Sequence, residues 1–152
     1  MEKRAKYSLQ EYSESVENLP YTDTLLQVRK FVMGQRSSGE GYCHPIAKLN
    51  SNVIPDLEQM AGEYIAPDGS RLDHGFNYDK KRNIYVDATA DQFGEEAITI
   101  YPLPCKTLEV SSLKTFFERY LEFGNLFTGR DLGLHIAFLR NAQLLKKSKQ
   151  TL

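Results

Sequence analysis

The sequence Gly39-Glu40-Gly41-Tyr42-Cys43-His44-Pro45 opens the stretch, ending at Phe93, from which the fold is predicted. Its two glycines are typical of a turn. Pro45 is tolerated in the first turn of a helix, because its missing N–H would have no intrahelical partner there. The pattern predicts a core-packed helix that begins at Cys43 and is broken at Pro55. Its apolar positions recur at helical spacing: Ile46, Leu49 and Val53.

A cysteine at the start of a helix is well placed for reactivity. Unpaired N–H groups and the helix dipole favour the thiolate form and lower a cysteine pKa from its free value of about 8.5. Downstream, the chain carries His74 and then Asp87. A thiol is a poor nucleophile until it is deprotonated, and an imidazole oriented by a carboxylate can take its proton. Cys43, His74 and Asp87 are therefore the predicted catalytic residues.

Two short runs, residues 71–79 and 82–89, are predicted to form a β-hairpin around the polar tetrad Asp79-Lys80-Lys81-Arg82. A turn centred in the middle of this tetrad places His74 directly opposite Asp87, with Cβ atoms about 5 Å apart on one face. The residues that follow His74 and Asp87 are Gly75 and Ala88, which are small and leave room for another element to approach.

The rest of the chain completes an α+β pattern. Ser8 followed by Glu11 is a capping box, which predicts a first helix that ends at Pro20, and a second helix begins near Thr22. The predicted fold is one domain over residues 1–152, with N-terminal helices, the nucleophile helix packed on a small antiparallel sheet of three or four strands, and two C-terminal helices. The further assignments are a short turn over residues 56–61, strands at 63–65 and 97–101, and last helices from Ser111 or Ser112 and from near Asp131.

Composition and charge disfavour several classes of function. The chain has 152 residues, of which 41% are hydrophobic and 26% charged, as in a compact globular domain. Its net charge of −1 gives no electrostatic footprint for nucleic acid or an acidic membrane surface. No apolar run is long enough for a membrane span, and the start lacks the apolar segment of a signal peptide. We expect a cytoplasmic protein, or one exported without a cleaved signal, with free thiols at Cys43 and Cys105.

The order of these motifs resembles the papain-like cysteine hydrolase superfamily, including its transglutaminase-like and deamidase-like branches. The matching residues are Gly41-Tyr42-Cys43, then His74-Gly75-Phe76-Asn77, then Val86-Asp87-Ala88-Thr89-Ala90-Asp91-Gln92-Phe93. The last two blocks are similar to a pattern in small bacterial members, His-x-aromatic-Asn followed by Asp-x-Thr-x-x-Gln-Phe. There the aromatic residue is often tryptophan, whereas here it is Phe76.

The resemblance implies a helix N-terminus that carries the nucleophile and packs against an antiparallel sheet that supplies the histidine and its partner. It implies attack of a Cys43 thiolate on an amide or thioester carbonyl, with His74 as general base and then acid and Asp87 as the orienting group. The substrate would be a protein or peptide, and the chemistry needs no cofactor. The Cys43 N–H is a natural oxyanion donor, and Gln35 is the upstream glutamine that could add a second.

Other interpretations of the same residues stay open. Cys43 could be a small buried hydrophobe, and His74 with Asp87 could be a structural pair. Gln92 is either a core hydrogen-bond partner or a substrate contact, and His44 is expected to be solvated or locally capping. Zinc is disfavoured because adjacent cysteine and histidine residues do not share a helical face. The competing function is a non-catalytic binding module that uses an aromatic surface around Phe76, Tyr78 and Tyr85.

Overall fold

The computed structural model describes residues 4–34 and 41–111. These residues form an α+β arrangement, which confirms the predicted fold class. The predicted C-terminal helices lie outside the described residues. The helices are α1 (Leu9–Ser15), α2 (Thr22–Met33) and α3 (Cys43–Val53), with a short 3-10 helix at Ala90–Phe93. The strands are β1 (Tyr7–Ser8), β2 (Leu57–Ile65), β3 (Arg71–Asp79), β4 (Ile84–Asp87), β5 (Thr99–Pro102) and β6 (Leu108–Val110).

The helices begin where the sequence predicts. Ser8 Oγ accepts the Glu11 N–H at 3.1 Å, and Glu11 Oε1 accepts the Ser8 N–H at 3.3 Å, so the capping box is confirmed. Helix α1 ends at Ser15, earlier than Pro20. It ends there because the N–H groups of Val16 and Glu17 both bond to the carbonyl of Tyr12, where the chain leaves the helix. In the described part of the chain, none of the helices is long and apolar enough to cross a membrane.

The strands form one antiparallel sheet in the order β1-β5-β4-β3-β2-β6. The six strands found within residues 4–34 and 41–111 exceed the predicted three or four, because β1 and β6 are two- and three-residue edge strands with little sequence pattern. The short turn predicted over residues 56–61 is wrong. Asp56 does lie in a turn, but residues 57–61 are the first half of β2, which pairs with β3 along its whole length, from Leu57 opposite Asp79 to Ile65 opposite Arg71.

Gly62 makes β2 difficult to predict from the sequence, because a glycine inside a strand usually indicates a break in the strand or the close approach of another segment. Here it is a close approach. A Cβ atom at Gly62 would lie 2.0 Å from the carbonyl oxygen of Glu109 on β6. Only glycine therefore lets the edge strand β6 pair at this position.

The β3–β4 hairpin has a longer loop than predicted. Asp79 pairs with Ile84, which leaves four residues in the loop, and Asn83 adopts a left-handed conformation with φ of 57°. The predicted register is therefore wrong by two residues, because Tyr78 faces Tyr85. Side chains alternate faces along a strand, so a slip of two residues keeps each side chain on its predicted face.

The sheet has a large core on one face and an aromatic cluster on the other. The large core contains residues of α1, α2 and α3 packed on Ile84, Val86 and Ile100. The second cluster centres on Tyr64, Phe76, Tyr101 and Leu108. His74 and Phe76 alternate along β3 with Gly75 and Asn77, so the first pair projects from the aromatic face and the second pair faces α3.

Candidate active site

Cys43 is the first residue of α3 and is half-buried. Tyr42 is the N-cap residue, and its side chain makes no capping hydrogen bond. The first backbone bond of the helix runs from the Ile46 N–H to the Tyr42 carbonyl at 3.0 Å. The N–H groups of Cys43 and His44 therefore precede the helical ladder, at the positive end of the helix dipole.

Gly75 brings this helix start against the sheet. A Cβ atom at Gly75 would lie 2.7 Å from His44 Nδ1 and 3.2 Å from the carbonyl carbon and oxygen of Cys43. The expectation that Gly75 leaves room for another element is confirmed. His44, expected to be solvated or locally capping, is half-buried, and its ring lies against Gly75.

Two buried amides fix α3 on β3. Asn50 Nδ2 donates to Asn77 Oδ1 at 3.1 Å, and Asn77 Nδ2 donates to the Ala47 carbonyl at 2.8 Å and to the Glu58 carbonyl at 3.3 Å. Both asparagines are essentially inaccessible to solvent. Because buried polar groups are costly when unpaired, this set favours a single seating of the helix. Asn77 thus holds α3 in place on the sheet.

His74 connects the other two predicted catalytic residues. Its ring is fully buried, and Nε2 lies 2.7 Å from Asp87 Oδ2. The Cys43 side chain lies close enough to His74 to raise its pKa. Because Nε2 is bonded to Asp87, Nδ1 is the ring nitrogen left for other partners. The structure therefore brings Cys43, His74 and Asp87 together, although His74 and Asp87 are diagonal neighbours and not directly opposite each other.

Asp87 is held by a local turn. Its Oδ1 accepts the Thr89 N–H at 3.1 Å and the Thr89 hydroxyl at 3.4 Å, which leaves Oδ2 for His74. Thr89 is the N-cap residue of the 3-10 helix. Gln92, in that helix, places Nε2 3.3 Å from His74 Nδ1. Of its two predicted roles, Gln92 makes the hydrogen bonds expected of the core partner.

The proton affinity of His74 reflects two opposed effects. Burial by itself lowers the pKa of His74, because a charged imidazole loses its hydration. The hydrogen bond to Asp87, the contact with Cys43 and the negative charge of both groups outweigh burial and raise the pKa to about 9. His74 therefore holds its second proton more strongly than an ordinary histidine does.

Arg29 on α2 clamps the segment that follows Asp87, and sequence reasoning missed it. Its guanidinium donates to the Ala88 carbonyl at 2.7 Å and to both carboxylate oxygens of Asp91, at 3.1 and 2.6 Å. An arginine on an amphipathic helix is usually predicted to be solvated, so no pattern in the sequence indicates this contact.

Aromatic rings line the other side of His74. The Phe93 ring meets the imidazole edge-on with centroids 4.8 Å apart, and the Tyr64 ring stacks on Phe93 at 3.8 Å. Phe76 is only 1% exposed, so the predicted aromatic binding surface is wrong at that residue. Tyr78 and Tyr85 are half-buried.

The remaining candidate residues lie apart from this cluster or outside the described residues. Cys105 is half-buried in the aromatic cluster, where its sulfur accepts the Leu108 N–H at 3.4 Å.

A cleft of about 550 Å³ opens between Tyr7, Tyr12, Val16 and Leu103, and none of the three predicted catalytic residues lines it. Gln35 lies outside the described residues. Among residues 4–34 and 41–111, no group of three or more histidine, cysteine or acidic side chains could hold a metal ion.

Comparisons of the chain with protein-family models, with curated proteins and with solved structures found no match. The arguments on function below therefore depend on the geometry of the cluster and on the chemistry of its side chains.

Proposed function

We propose that the protein is a cysteine-dependent hydrolase or acyl-transferase that acts on an amide bond. The observation that carries this proposal is the position of His74, whose Nε2 lies 2.7 Å from the Asp87 carboxylate and whose pKa is raised by the neighbouring Cys43 side chain. The location of Cys43 at the first residue of α3 adds the positive end of the helix dipole. The order of the residues, and their resemblance to papain-like and transglutaminase-like enzymes, agree with the same chemistry.

Each residue has a separate role in the proposed reaction. The Cys43 thiolate attacks the amide carbonyl carbon, a C–S bond forms, and the carbonyl oxygen becomes an oxyanion. The backbone N–H of Cys43 is the donor closest to this charge. Collapse of the intermediate breaks the C–N bond, and protonated His74 gives its proton to the leaving amine. The product of this half-reaction is a thioester on Cys43.

The second half-reaction returns the enzyme to its starting state. Water or an amine attacks the thioester carbonyl and transfers a proton to neutral His74, and the Cys43 thiolate leaves. Water gives hydrolysis or deamidation, whereas an amine gives transamidation. Asp87 stays ionised throughout and orients the imidazole. A protein or peptide amide, such as a glutamine side chain, is the class of substrate that this sequence of steps accepts.

The pH dependence of alkylation by iodoacetamide tests the proposal, because Cys105 provides an internal reference. Peptide mass spectrometry resolves the two cysteines, and the rate is measured in the wild type and in His74→Gln. We expect Cys43 to react below neutral pH, and we expect this advantage over Cys105 to disappear in His74→Gln. The thermal unfolding midpoint of the variant shows whether it has kept its fold.

The same experiment distinguishes the competing function. A Cys43 that titrates like a free thiol, near a pKa of about 8.5, or that does not react at all would overturn the hydrolase proposal and leave a binding module. If Cys43 is activated, glutamine peptides and simple amides are the first substrates to screen. Release of ammonia is the readout for deamidation, and incorporation of a labelled amine is the readout for transamidation.

A further inference from the structure

The Gln92 side chain lies outside the proposed catalytic set, next to Nδ1 of His74, the ring nitrogen that is not bonded to Asp87. Its Nε2 is 3.3 Å from His74 Nδ1. The same nitrogen is 3.1 Å from the Thr89 carbonyl oxygen and 3.2 Å from the Thr89 hydroxyl oxygen. Three acceptor positions thus surround an amide group that has two hydrogens to donate.

The Thr89 carbonyl fixes which way the Gln92 amide points. A carbonyl oxygen only accepts hydrogen bonds, so it requires the amide nitrogen and would repel Oε1. Rotating the amide by half a turn would set two acceptors against each other. The orientation of Gln92 is therefore determined by Thr89, independently of the protonation state of His74, and it places the amide nitrogen, not Oε1, next to Nδ1.

A donor in this position favours one form of the imidazole. Neutral His74 with its proton on Nε2 donates to Asp87 and offers the Nδ1 lone pair to Gln92 and to the thiol. Protonation of Nδ1 sets two N–H groups against each other. The charged or titratable groups facing His74 are Asp87 from β4 and Cys43 from α3, and both favour the imidazolium. On the neighbouring strands, Tyr64 and Tyr101 are coupled electrostatically to Asp87.

We propose that Gln92 is a positioning residue that keeps His74 Nδ1 available as a proton acceptor. It offsets part of the stabilisation that Asp87 and Cys43 give to the imidazolium. A base held too strongly in its protonated form could not take a proton from the second nucleophile, water or amine, so this balance serves the second half-reaction. That consequence rests on the proposed function, whereas the effect of Gln92 on the titration of His74 does not.

The test is a titration of His74 followed by NMR of the imidazole nitrogens in protein labelled with ¹⁵N-histidine. A Cys43→Ala background removes the coupled titration of the thiol. The variants are Gln92→Met, which keeps the length of the side chain and removes its donors, and Gln92→Glu, which replaces them with acceptors. His44→Gln and His135→Gln assign the signals of the three histidines. Gln10→Met, on the exposed side of α1, is the matched control.

We expect Gln92→Met to raise the titration midpoint of His74 by on the order of half a pH unit to one unit, the equivalent of one neutral hydrogen bond. Gln92→Glu should raise it further, because a carboxylate accepts from the Nδ1–H of the imidazolium. Gln10→Met should leave it unchanged. A midpoint that stays constant or falls in Gln92→Met and Gln92→Glu, with both variants folded, would overturn the inference.

Failure of this inference and failure of the proposed function give different results. If Cys43 of the wild type alkylates below neutral pH but the midpoint does not rise in the Gln92 variants, the hydrolase proposal stands and the role of Gln92 is refuted. If the midpoint rises but Cys43 is inert to alkylation, the effect of Gln92 on His74 stands and the hydrolase proposal is refuted.

Discussion

Asp87 Oδ2 lies 2.7 Å from His74 Nε2, and neither side chain is exposed to solvent. A carboxylate is buried at a large cost unless hydrogen bonds compensate, and here both of its oxygens have partners, His74 on one and Thr89 on the other. The two residues therefore behave as one electrostatic unit. Its most direct consequences concern the protonation of His74.

Asp87→Asn should keep the shape of this unit and change its chemistry. The amide cannot stabilise an imidazolium as a carboxylate does, so the pKa of His74 should fall below the value of about 9 in the wild type. We expect the rate of Cys43 alkylation near neutral pH to fall, and any amidase activity to drop by roughly 10²–10⁴-fold. The NMR titration of His74 measures the pKa directly. An unchanged midpoint in the folded variant would contradict the assignment of Asp87 as its partner.

The stability of the fold should decrease with pH in a defined window. The pKa of His74 is raised from an ordinary 6.5 to about 9, so the folded state holds a proton that the unfolded state releases. The stabilisation is fully present below pH 6.5 and is lost as the pH rises through about 9. Its maximum is on the order of 3 kcal/mol.

Chemical denaturation at several pH values measures this loss. In His74→Gln the pH dependence across this window should be largely absent, since the group that binds the proton has been removed. A wild-type free energy of unfolding that is flat or rises across the window would show that the imidazolium is not the favoured form in the folded protein.

How far the sequence could predict this site depends on the range of the interaction. The start of α3 at Cys43, the capping box at Ser8 and the extent of β3 are local patterns, and all three appear in the structure. The contact between His74 and Asp87 was predicted with the wrong register. The contact still forms because a slip of two residues keeps each side chain on the same face of the sheet, and because a long side chain reaches a diagonal neighbour.

Features set by distant parts of the chain could not be predicted. The first half of β2 was assigned to a turn, since nothing near Gly62 indicates that Glu109 will lie against it. The contacts of Arg29 join residues about sixty positions apart, and arginine on a helix surface has no distinguishing pattern. The donor role of Gln92 depends on Thr89, whose carbonyl orients the amide only once the 3-10 helix has formed.

Arg29→Met should loosen the segment that carries Asp87, Thr89 and Gln92. The substitution keeps the apolar stem and removes the hydrogen bonds to Ala88 and Asp91. Because the Arg29 and Asp91 side chains are only 15% and 17% exposed, we expect a loss of about 1–3 kcal/mol in the free energy of unfolding. Cys43 alkylation near neutral pH should slow as well, since the position of Asp87 becomes less well defined.

Arg71→Met is the matched control for this experiment. Arg71 pairs with Glu109 and Glu63, but its side chain is 42% exposed, and exposed ion pairs contribute at most about 1 kcal/mol. It should therefore cost less stability than Arg29→Met and leave alkylation unchanged. Equal effects of the two substitutions would refute a specific role for Arg29.

Gly75→Ala tests whether the close approach of α3 to β3 is what brings the thiol to the imidazole. The new Cβ would meet the His44 ring at 2.7 Å and the Cys43 carbonyl at 3.2 Å. The ring can rotate away, but the carbonyl belongs to the helix backbone, so the start of α3 must move by a few tenths of an ångström. We expect a loss of about 1–3 kcal/mol in the free energy of unfolding and slower alkylation of Cys43.

The double variant His44→Ala/Gly75→Ala separates the two contacts. It removes the clash with the imidazole ring and leaves the clash with the Cys43 backbone. Recovery of part of the stability without recovery of the alkylation rate would locate the effect at the helix start. Full recovery of both would mean that His44, and not the distance between α3 and β3, limits the site. A single Gly75→Ala variant with wild-type alkylation would show that the thiol does not depend on this approach.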